Sequence, residues 1–219
     1  MALLFFYALS VRSEEVMRKT ERLDFTGAFE QGWIQYKSNF TKLIGLGALI
    51  ALPPVFFHFS ITVGVILTLI FEGFLMILLA NSVVCASRGL KNDVFSSPHL
   101  LWNYAKNGFL LSILLFPLLL VGAVLGVIPS IAFFSVFMFT FFITARKQNF
   151  AVDAMMDSLR EGNGYRLPLF LFSFIFYASA ALAFLLAQIL MPLGFIVGAF
   201  ITPYFFSVIY EFYDQLETK

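Results

Sequence analysis

Few residues that could do chemistry lie inside the apolar stretches of this chain. Glu72, within TLIFEGFLMILL, is the one acidic residue outside the segments that the topology below places in the cytoplasm. A carboxylate in hydrocarbon is costly, so its default interpretation is functional: it could bind a proton or a cation, or pair with a polar group on another helix. His58 is the nearest titratable candidate in sequence. The alternative is a protonated, hydrogen-bonded Glu72 that holds the helices together or faces a subunit interface.

The sequence has no pattern typical of a catalytic or metal site. It has no glycine-rich phosphate loop, no HExxH or GxSxG motif and no paired carboxylates suited to acid–base chemistry. His58 and His99 fall on opposite sides of the membrane in the predicted topology, so they cannot share a metal. Cys85 is the single cysteine, which excludes an intramolecular disulfide and a cysteine-based metal site. We therefore predict a non-enzymatic protein with no catalytic residue, cofactor or metal.

The composition indicates that most of the chain is solvated by lipid. Of 219 residues, 60% are hydrophobic and 12% charged, with a mean hydropathy of +0.90. Soluble domains carry about 25% charged residues. The net charge of +1 argues against nucleic acid as a partner.

Six apolar stretches are long enough to cross a membrane, at about 20 residues each. They predict an all-α fold, a polytopic bundle of about six transmembrane helices within a single domain, 24–210. The domain is preceded by a cytoplasmic or interfacial segment, 1–23, and followed by a cytoplasmic tail, 211–219. The predicted spans are 40–59, 62–86, 108–126, 129–146, 167–187 and 190–210.

The distribution of Lys and Arg predicts the orientation. The segment before the first span and the connections 87–107 and 147–166 are basic, whereas the first, third and fifth connections contain no Lys or Arg. Cytoplasmic loops carry the excess of basic residues, so the N-terminus and the longer connections are predicted to be cytoplasmic. An even number of spans returns the C-terminus to the same side.

A short polar–apolar stretch precedes each pair of spans, which predicts three units of an interfacial elbow helix followed by a transmembrane hairpin. By elbow helix we mean an amphipathic helix lying in the cytoplasmic interface. The alternative is that any cytoplasmic connection before a span tends to be amphipathic and to end in a turn. The aromatic residues that mark the three elbows are Trp33 and Phe40, Trp102 and Phe109, and Tyr165.

Prolines and glycines inside the spans predict how the helices bend and pack. Pro117 and Pro203 each remove a helical hydrogen bond and are expected to kink their helices. Two GxxxG patterns allow close helix approach, which we interpret as packing within the chain, with a dimer face as the alternative. The glycines concerned are Gly122 and Gly126, and Gly194 and Gly198.

Both ends of the chain resemble a bacterial membrane family of unknown function. That family is related to the membrane domain attached to some glycerophosphoryl diester phosphodiesterases. The resemblance implies a multi-pass protein of the bacterial inner membrane, but no established chemistry, and the hydrolase domain of some relatives is absent here. The matching residues are Gly32-Trp33, Tyr36-Lys37 and Asn39-Phe40, then Ala154, Ser158, Gly164, Gly194, Pro203-Tyr204, Phe212-Tyr213 and Leu216.

Two functions remain open from the sequence. The first is a non-enzymatic accessory or scaffolding subunit of a larger membrane complex, contacting membrane lipids and one or more membrane-protein partners. The alternative is a small transporter or lipid-handling protein that uses Glu72.

Overall fold

The computed structural model describes residues 23–56, 59–90, 94 and 97–217, and over these ranges the chain forms eight helices and no strand. Helix α3 contains a π-helical segment, and α5 has a short break at residues 138–139. The helices are α1 (Phe25–Ser38), α2 (Phe40–Phe56), α3 (Ile61–Ser87), α4 (Pro98–Leu125), α5 (Val127–Lys147), α6 (Ala151–Glu161), α7 (Arg166–Ile189) and α8 (Met191–Glu217).

Five of these helices, α3, α4, α5, α7 and α8, are long and apolar enough to cross a membrane. The prediction of an all-α polytopic membrane bundle is therefore confirmed. The first predicted span, 40–59, corresponds to α2, which the structure describes over 17 residues, Phe40–Phe56. Residues 57 and 58, at the end of that predicted span, lie outside the described ranges.

The first and third predicted elbows are separate helices. Helix α1 begins after Asp24, whose side chain accepts a hydrogen bond from the Gly27 N–H, and it ends at Ser38. Helix α6 ends at Glu161, and Gly164, with φ +97°, turns the chain into α7. These two elbows are held by small residues as well as apolar ones, since Ser158 is fully buried and donates to the Val136 carbonyl at 2.9 Å.

The prediction that the middle elbow forms a separate helix is wrong. Helix α4 begins at Pro98, as predicted, but it passes through Asn107-Gly108 without a break and continues to Leu125. The buried Asn107 side chain donates to Asn103 one turn earlier, at 3.1 Å, so it supports the helix rather than ending it. Gly108 faces another helix at close range, as described below. The bundle thus contains two elbow-plus-hairpin units and one pair of spans that lacks a separate elbow.

Within the predicted cytoplasmic tail, 211–219, α8 continues as a helix through Glu217. Residues 218–219, and all but Leu23 of the predicted segment 1–23, lie outside the described ranges. Tyr213 is fully buried and contacts Phe139 of α5 at a ring-centroid distance of 5.7 Å. The Asp24 N–H donates to Gln215 Oε1 at 3.1 Å, and Gln215 Nε2 donates to the Asp24 carbonyl at 3.2 Å. Both ends of the described chain therefore meet at one end of the bundle.

Charged side chains form ion pairs at that same end. Arg146, near the end of α5, pairs with Glu217 of α8. Lys147 lies 3.0 Å from Glu161 and 3.7 Å from Asp157, both on α6. The end of the bundle that carries the α4–α5 connection, at Gly126, is apolar by contrast.

Helix α8 occupies the centre of the bundle, contacting α1, α2, α3 and α7. A Cβ on Gly32 of α1 would lie 3.0 Å from the Val208 backbone nitrogen, so glycine permits the close approach of these two helices. Phe25 of α1 contacts Phe212 at a ring-centroid distance of 5.0 Å. Residues from the first and last described helices therefore pack in one interface.

Candidate functional site

The π-helical segment Thr68–Glu72 interrupts α3 near its midpoint. Wider turns of this kind are rare, and they occur frequently at functional sites because they alter the hydrogen bonding and direction of a few residues. The N–H of the next residue, Gly73, donates to Ser112 Oγ of α4 at 2.9 Å in a buried position. A side chain of another helix thus satisfies a backbone group at the end of the π segment.

Two glycines bring α3 and α4 together at this point. A Cβ built on Gly73 would overlap the Gly108 carbonyl oxygen, and one built on Gly108 would lie 2.5 Å from the Phe74 Cα. Neither position can therefore carry a side chain without moving a backbone. The close approach places Ser112, one turn after Gly108, within reach of the Gly73 N–H.

A cavity of about 210 Å³ opens beside the π segment, between α3, α4, α5, α7 and α8. Of its sixteen lining residues, seven are phenylalanine, contributed by α4, α5, α7 and α8. The polar side chains on the wall are those of Thr68, Glu72, Ser112 and Tyr177. The arrangement is an apolar chamber with a single carboxyl group.

Some polar groups of the cavity wall have hydrogen-bond partners within the described ranges, and others do not. The Tyr177 hydroxyl shares a hydrogen bond with Ser130 Oγ at 3.1 Å, and Ser112 accepts from Gly73. The buried Thr68 hydroxyl has no hydrogen-bond partner within the described ranges. The partly buried Glu72 carboxyl likewise makes no hydrogen bond or ion pair to a described residue, and the described residues that line the cavity include no Lys, Arg or His.

Glu72 lies well inside α3. It is eleven residues into α3 from Ile61, or about 16 Å along the helix axis, which is close to half the thickness of a bilayer core. His58, the other intramembrane candidate, lies outside the described residues. Its pairing with Glu72 stays a prediction.

The aromatic residues of the predicted elbows lie away from the cavity. Trp33 of α1 is 47% exposed, lies beneath the Lys37 ammonium at 5.5 Å and contacts Tyr204 of α8 at a centroid distance of 5.8 Å. Trp102, on the continuous helix α4, is 73% exposed. Phe40 and Phe109 are exposed, and Tyr165 is half-buried in the turn before α7.

The GxxxG glycines have different roles from one another. Gly122 packs within the chain, since a Cβ there would lie 2.8 Å from the Ser130 Cα of α5. Gly126 lies outside the helices and has φ +127°, which favours glycine in the α4–α5 turn. Gly194 is buried in α8, and Gly198 has room for a Cβ, with Ala51 at 3.8 Å.

Both prolines lie inside uninterrupted helices, Pro117 in α4 and Pro203 in α8. Pro203 is buried against Gly47 of α2, where a Cβ would meet the proline ring at 2.5 Å. Pro117 is exposed. The kinks expected at both positions stay predictions.

Sequence reasoning missed the glycines and hydroxyls that build the cavity. Gly73 and Gly108 belong to no GxxxG pattern, and the signal that could have found Gly73 is its position directly after Glu72. Thr68 could also have been found from its position, because it lies one helical turn before Glu72. Ser112 could not, because its partner lies 39 residues away in the sequence.

A second buried polar group was also missed. The Tyr104 hydroxyl, in a fully enclosed position, donates to the Ala145 carbonyl at 2.9 Å and lies 3.2 Å from Asn81 Oδ1. It joins α3, α4 and α5 near their charged ends. All its described partners are internal, so it is a packing element.

Comparison with known proteins assigns no family to the chain. No family model, no curated protein and no solved structure matches it.

Proposed function

We propose that this multi-pass protein binds a small, largely apolar molecule in the membrane, in the cavity beside Glu72, and acts as a small transporter or lipid-handling protein. The single observation that carries the proposal is an apolar chamber of about 210 Å³ whose wall holds one carboxyl group without a partner within the described ranges. Apolar pockets with a few placed polar groups are the usual form of small-molecule sites.

The cost of the carboxyl group supports a functional role for it. An ionisable group near the middle of a membrane span is destabilising unless it is paired, and such residues mark ligand or ion pathways. Glu72 is the last residue of a π segment, which also departs from the most stable helical geometry. The costly carboxyl group and the less stable π segment lie at the same cavity. Together they favour a role in ligand binding over a purely structural role.

The size of the cavity limits what it can hold. An engineered apolar cavity of about 150 Å³ holds benzene. A volume of about 210 Å³ therefore suits a ring-sized molecule or one end of a longer apolar chain. A whole phospholipid would keep most of its atoms outside.

The charge distribution supports an orientation for the protein. The ion pairs of Arg146 and Lys147 and both ends of the described chain lie at one end of the bundle. With the positive-inside rule, we assign this end to the cytoplasm of a bacterium, and the protein to its inner membrane.

An accessory subunit of a larger membrane complex is the second candidate. Its support is a set of large, exposed apolar side chains close to charged ones: Trp33 and Ile34 of α1, at 47% and 58%, and Trp102, at 73%. Side chains of this kind suit lipid headgroups or the surface of another membrane protein.

A matched pair of substitutions on α4 tests the cavity. Leu119 lines the cavity, whereas the adjacent Leu120 is 54% exposed on the outer surface. Leu119→Trp should fill the chamber and remove the bound molecule. Leu120→Trp should leave it in place.

The measurement is native mass spectrometry of the protein purified from its own membrane in mild detergent, with both variants in parallel. We expect a bound small molecule in the wild type and in Leu120→Trp, and its loss in Leu119→Trp. A molecule retained equally in all three proteins, or a stoichiometric protein partner with no bound small molecule, would contradict the proposal. The second of these results would establish the accessory role.

A further inference from the structure

We infer that the cavity takes a lipophilic organic monocation, such as a substituted ammonium ion, with its charge against the Glu72 carboxylate and its substituents against the phenylalanine rings. This inference rests on the proposed function and names its ligand class.

The charge of the wall selects the sign of the ligand. Glu72 is the one charged side chain among the sixteen lining residues, and no described residue pairs with it. A monocation would neutralise it, so that carboxylate and ligand together carry no net charge in the low-dielectric chamber. An anionic ligand, such as a phosphate-bearing headgroup, would meet a like charge and no Lys or Arg.

The aromatic wall suits an organic cation. The faces of phenylalanine rings carry partial negative charge and attract substituted ammonium ions. Ring contacts hold part of this wall in place: Phe134 stacks on Phe176 at 5.0 Å and meets Tyr177 edge-on at 5.7 Å. Rings held in this way provide apolar contact for alkyl or aryl substituents, which form no hydrogen bonds.

The oxygen atoms of the wall are too few for a hard metal cation. Calcium takes about six to eight oxygen ligands and magnesium about six. The wall offers one carboxyl group and the Thr68 hydroxyl as groups without partners, since Ser112 and Tyr177 already hydrogen-bond within the chain. Thr68 instead provides one acceptor for an N–H of a primary or secondary amine.

The experiment compares two ligands of equal shape that differ in charge. Benzyltrimethylammonium and neopentylbenzene are isosteric, with a positive nitrogen in one and a carbon atom in the other. Saturable binding of radiolabelled benzyltrimethylammonium to the purified protein in detergent is measured by equilibrium dialysis, with neopentylbenzene and sodium chloride as competitors. Wild type is compared with Glu72→Gln, Glu72→Asp and Glu30→Gln.

We expect Glu72→Gln to weaken benzyltrimethylammonium binding by about thirtyfold or more, because a buried charge would lose its partner. Glu72→Asp keeps the charge and should retain most of the binding. Glu30→Gln removes an exposed carboxylate on α1 and should bind as the wild type does. A thermal unfolding midpoint close to that of the wild type would show that each variant is folded.

Other outcomes overturn the inference. Equal binding of the neutral isostere, insensitive to Glu72→Gln, would refute a cationic ligand and leave the proposed cavity function standing. Displacement of the ammonium ion by sodium at equal concentration would assign the carboxylate to an alkali cation. No saturable binding of benzyltrimethylammonium, in a protein that still loses its native molecule in Leu119→Trp, would refute the ligand class alone.

Discussion

Ser112 is the residue through which the π segment is joined to the rest of the bundle. Its hydroxyl accepts the Gly73 N–H in a position away from lipid and water. The hydroxyl is also part of the cavity wall, so the same atom supports the backbone next to Glu72 and contributes to the polarity of the chamber.

Ser112→Ala should therefore lower the free energy of unfolding by about 1–3 kcal/mol, because a buried N–H loses its acceptor. The matched control is Ser179→Ala, since that hydroxyl donates to the Ile175 carbonyl of its own helix in an exposed position. Thermal unfolding in detergent compares the two. Equal midpoints for the two variants would show that the Ser112 hydrogen bond adds no stability.

The hydropathy pattern identified Glu72 as a candidate site residue because a carboxylate contrasts with its apolar neighbours. It gave no information on Thr68 or Ser112, since hydroxyl residues are compatible with membrane helices and carry no charge. Which hydroxyls face the chamber depends on how α3 and α4 are rotated about their axes, and that rotation is decided by packing between segments distant in sequence. His58 stays a prediction, and Cys85 is a half-buried thiol at the end of α3.

Helix crossings at glycine position the elements around the cavity. Gly73 and Gly108 allow α3 and α4 to touch, and Gly47 does the same for α2 against Pro203 of α8. Each of these contacts is between backbones or a proline ring, so a methyl group has no space to enter.

Gly108→Ala should separate α3 from α4, destabilise the protein by about 1–3 kcal/mol and weaken ligand retention. Gly45→Ala is the control, because a Cβ at Gly45 meets nothing within 4 Å, and alanine favours a helix by up to about 1 kcal/mol over glycine. Unfolding midpoints of both variants in the same detergent provide the measurement. A Gly108→Ala protein as stable as Gly45→Ala would contradict the crossing.

Element boundaries were predictable where local chemistry decided them. Helix α1 ends just before Asn39, and α6 ends three residues before Gly164, close to the junctions that the sequence indicates. The middle junction has the same residue types, yet the helix continues, because Gly108 is used for the crossing with Gly73 and not for a turn. A local pattern cannot separate a glycine that ends a helix from one that lets another helix approach.

The molecule as a whole has one charged end and one apolar end. Hydropathy and the positions of Lys and Arg predicted this polarity, because both are properties of composition along the chain. The contact between α1 and α8 was not predictable in the same way, since it joins residues at opposite ends of the sequence.

Cysteine labelling tests the orientation in a Cys85→Ala background. Ile189, at the end of α7, is 81% exposed, and Asp153 is exposed on α6. A membrane-impermeant maleimide should label Ile189→Cys in cells whose outer membrane has been opened. It should label Asp153→Cys only after the inner membrane is permeabilised.

The two sites report independently on the helix that precedes α7 and on the end of α7 itself. Labelling of Asp153→Cys before permeabilisation, with Ile189→Cys protected, would reverse the assigned orientation. Labelling of both before permeabilisation would mean that α7 does not cross the membrane.

The hydrogen bonds between Asp24 and Gln215 have a consequence for biosynthesis. The two residues are 191 positions apart, and ribosomes add about 5–20 residues per second, so roughly 10–40 s pass between making one and making the other. During that interval α1 has been synthesised but its docking partner α8 has not. The surface of α1 around Gly32, which packs against Val208 of α8, must then be shielded by lipid or by the insertion machinery until α8 has been made.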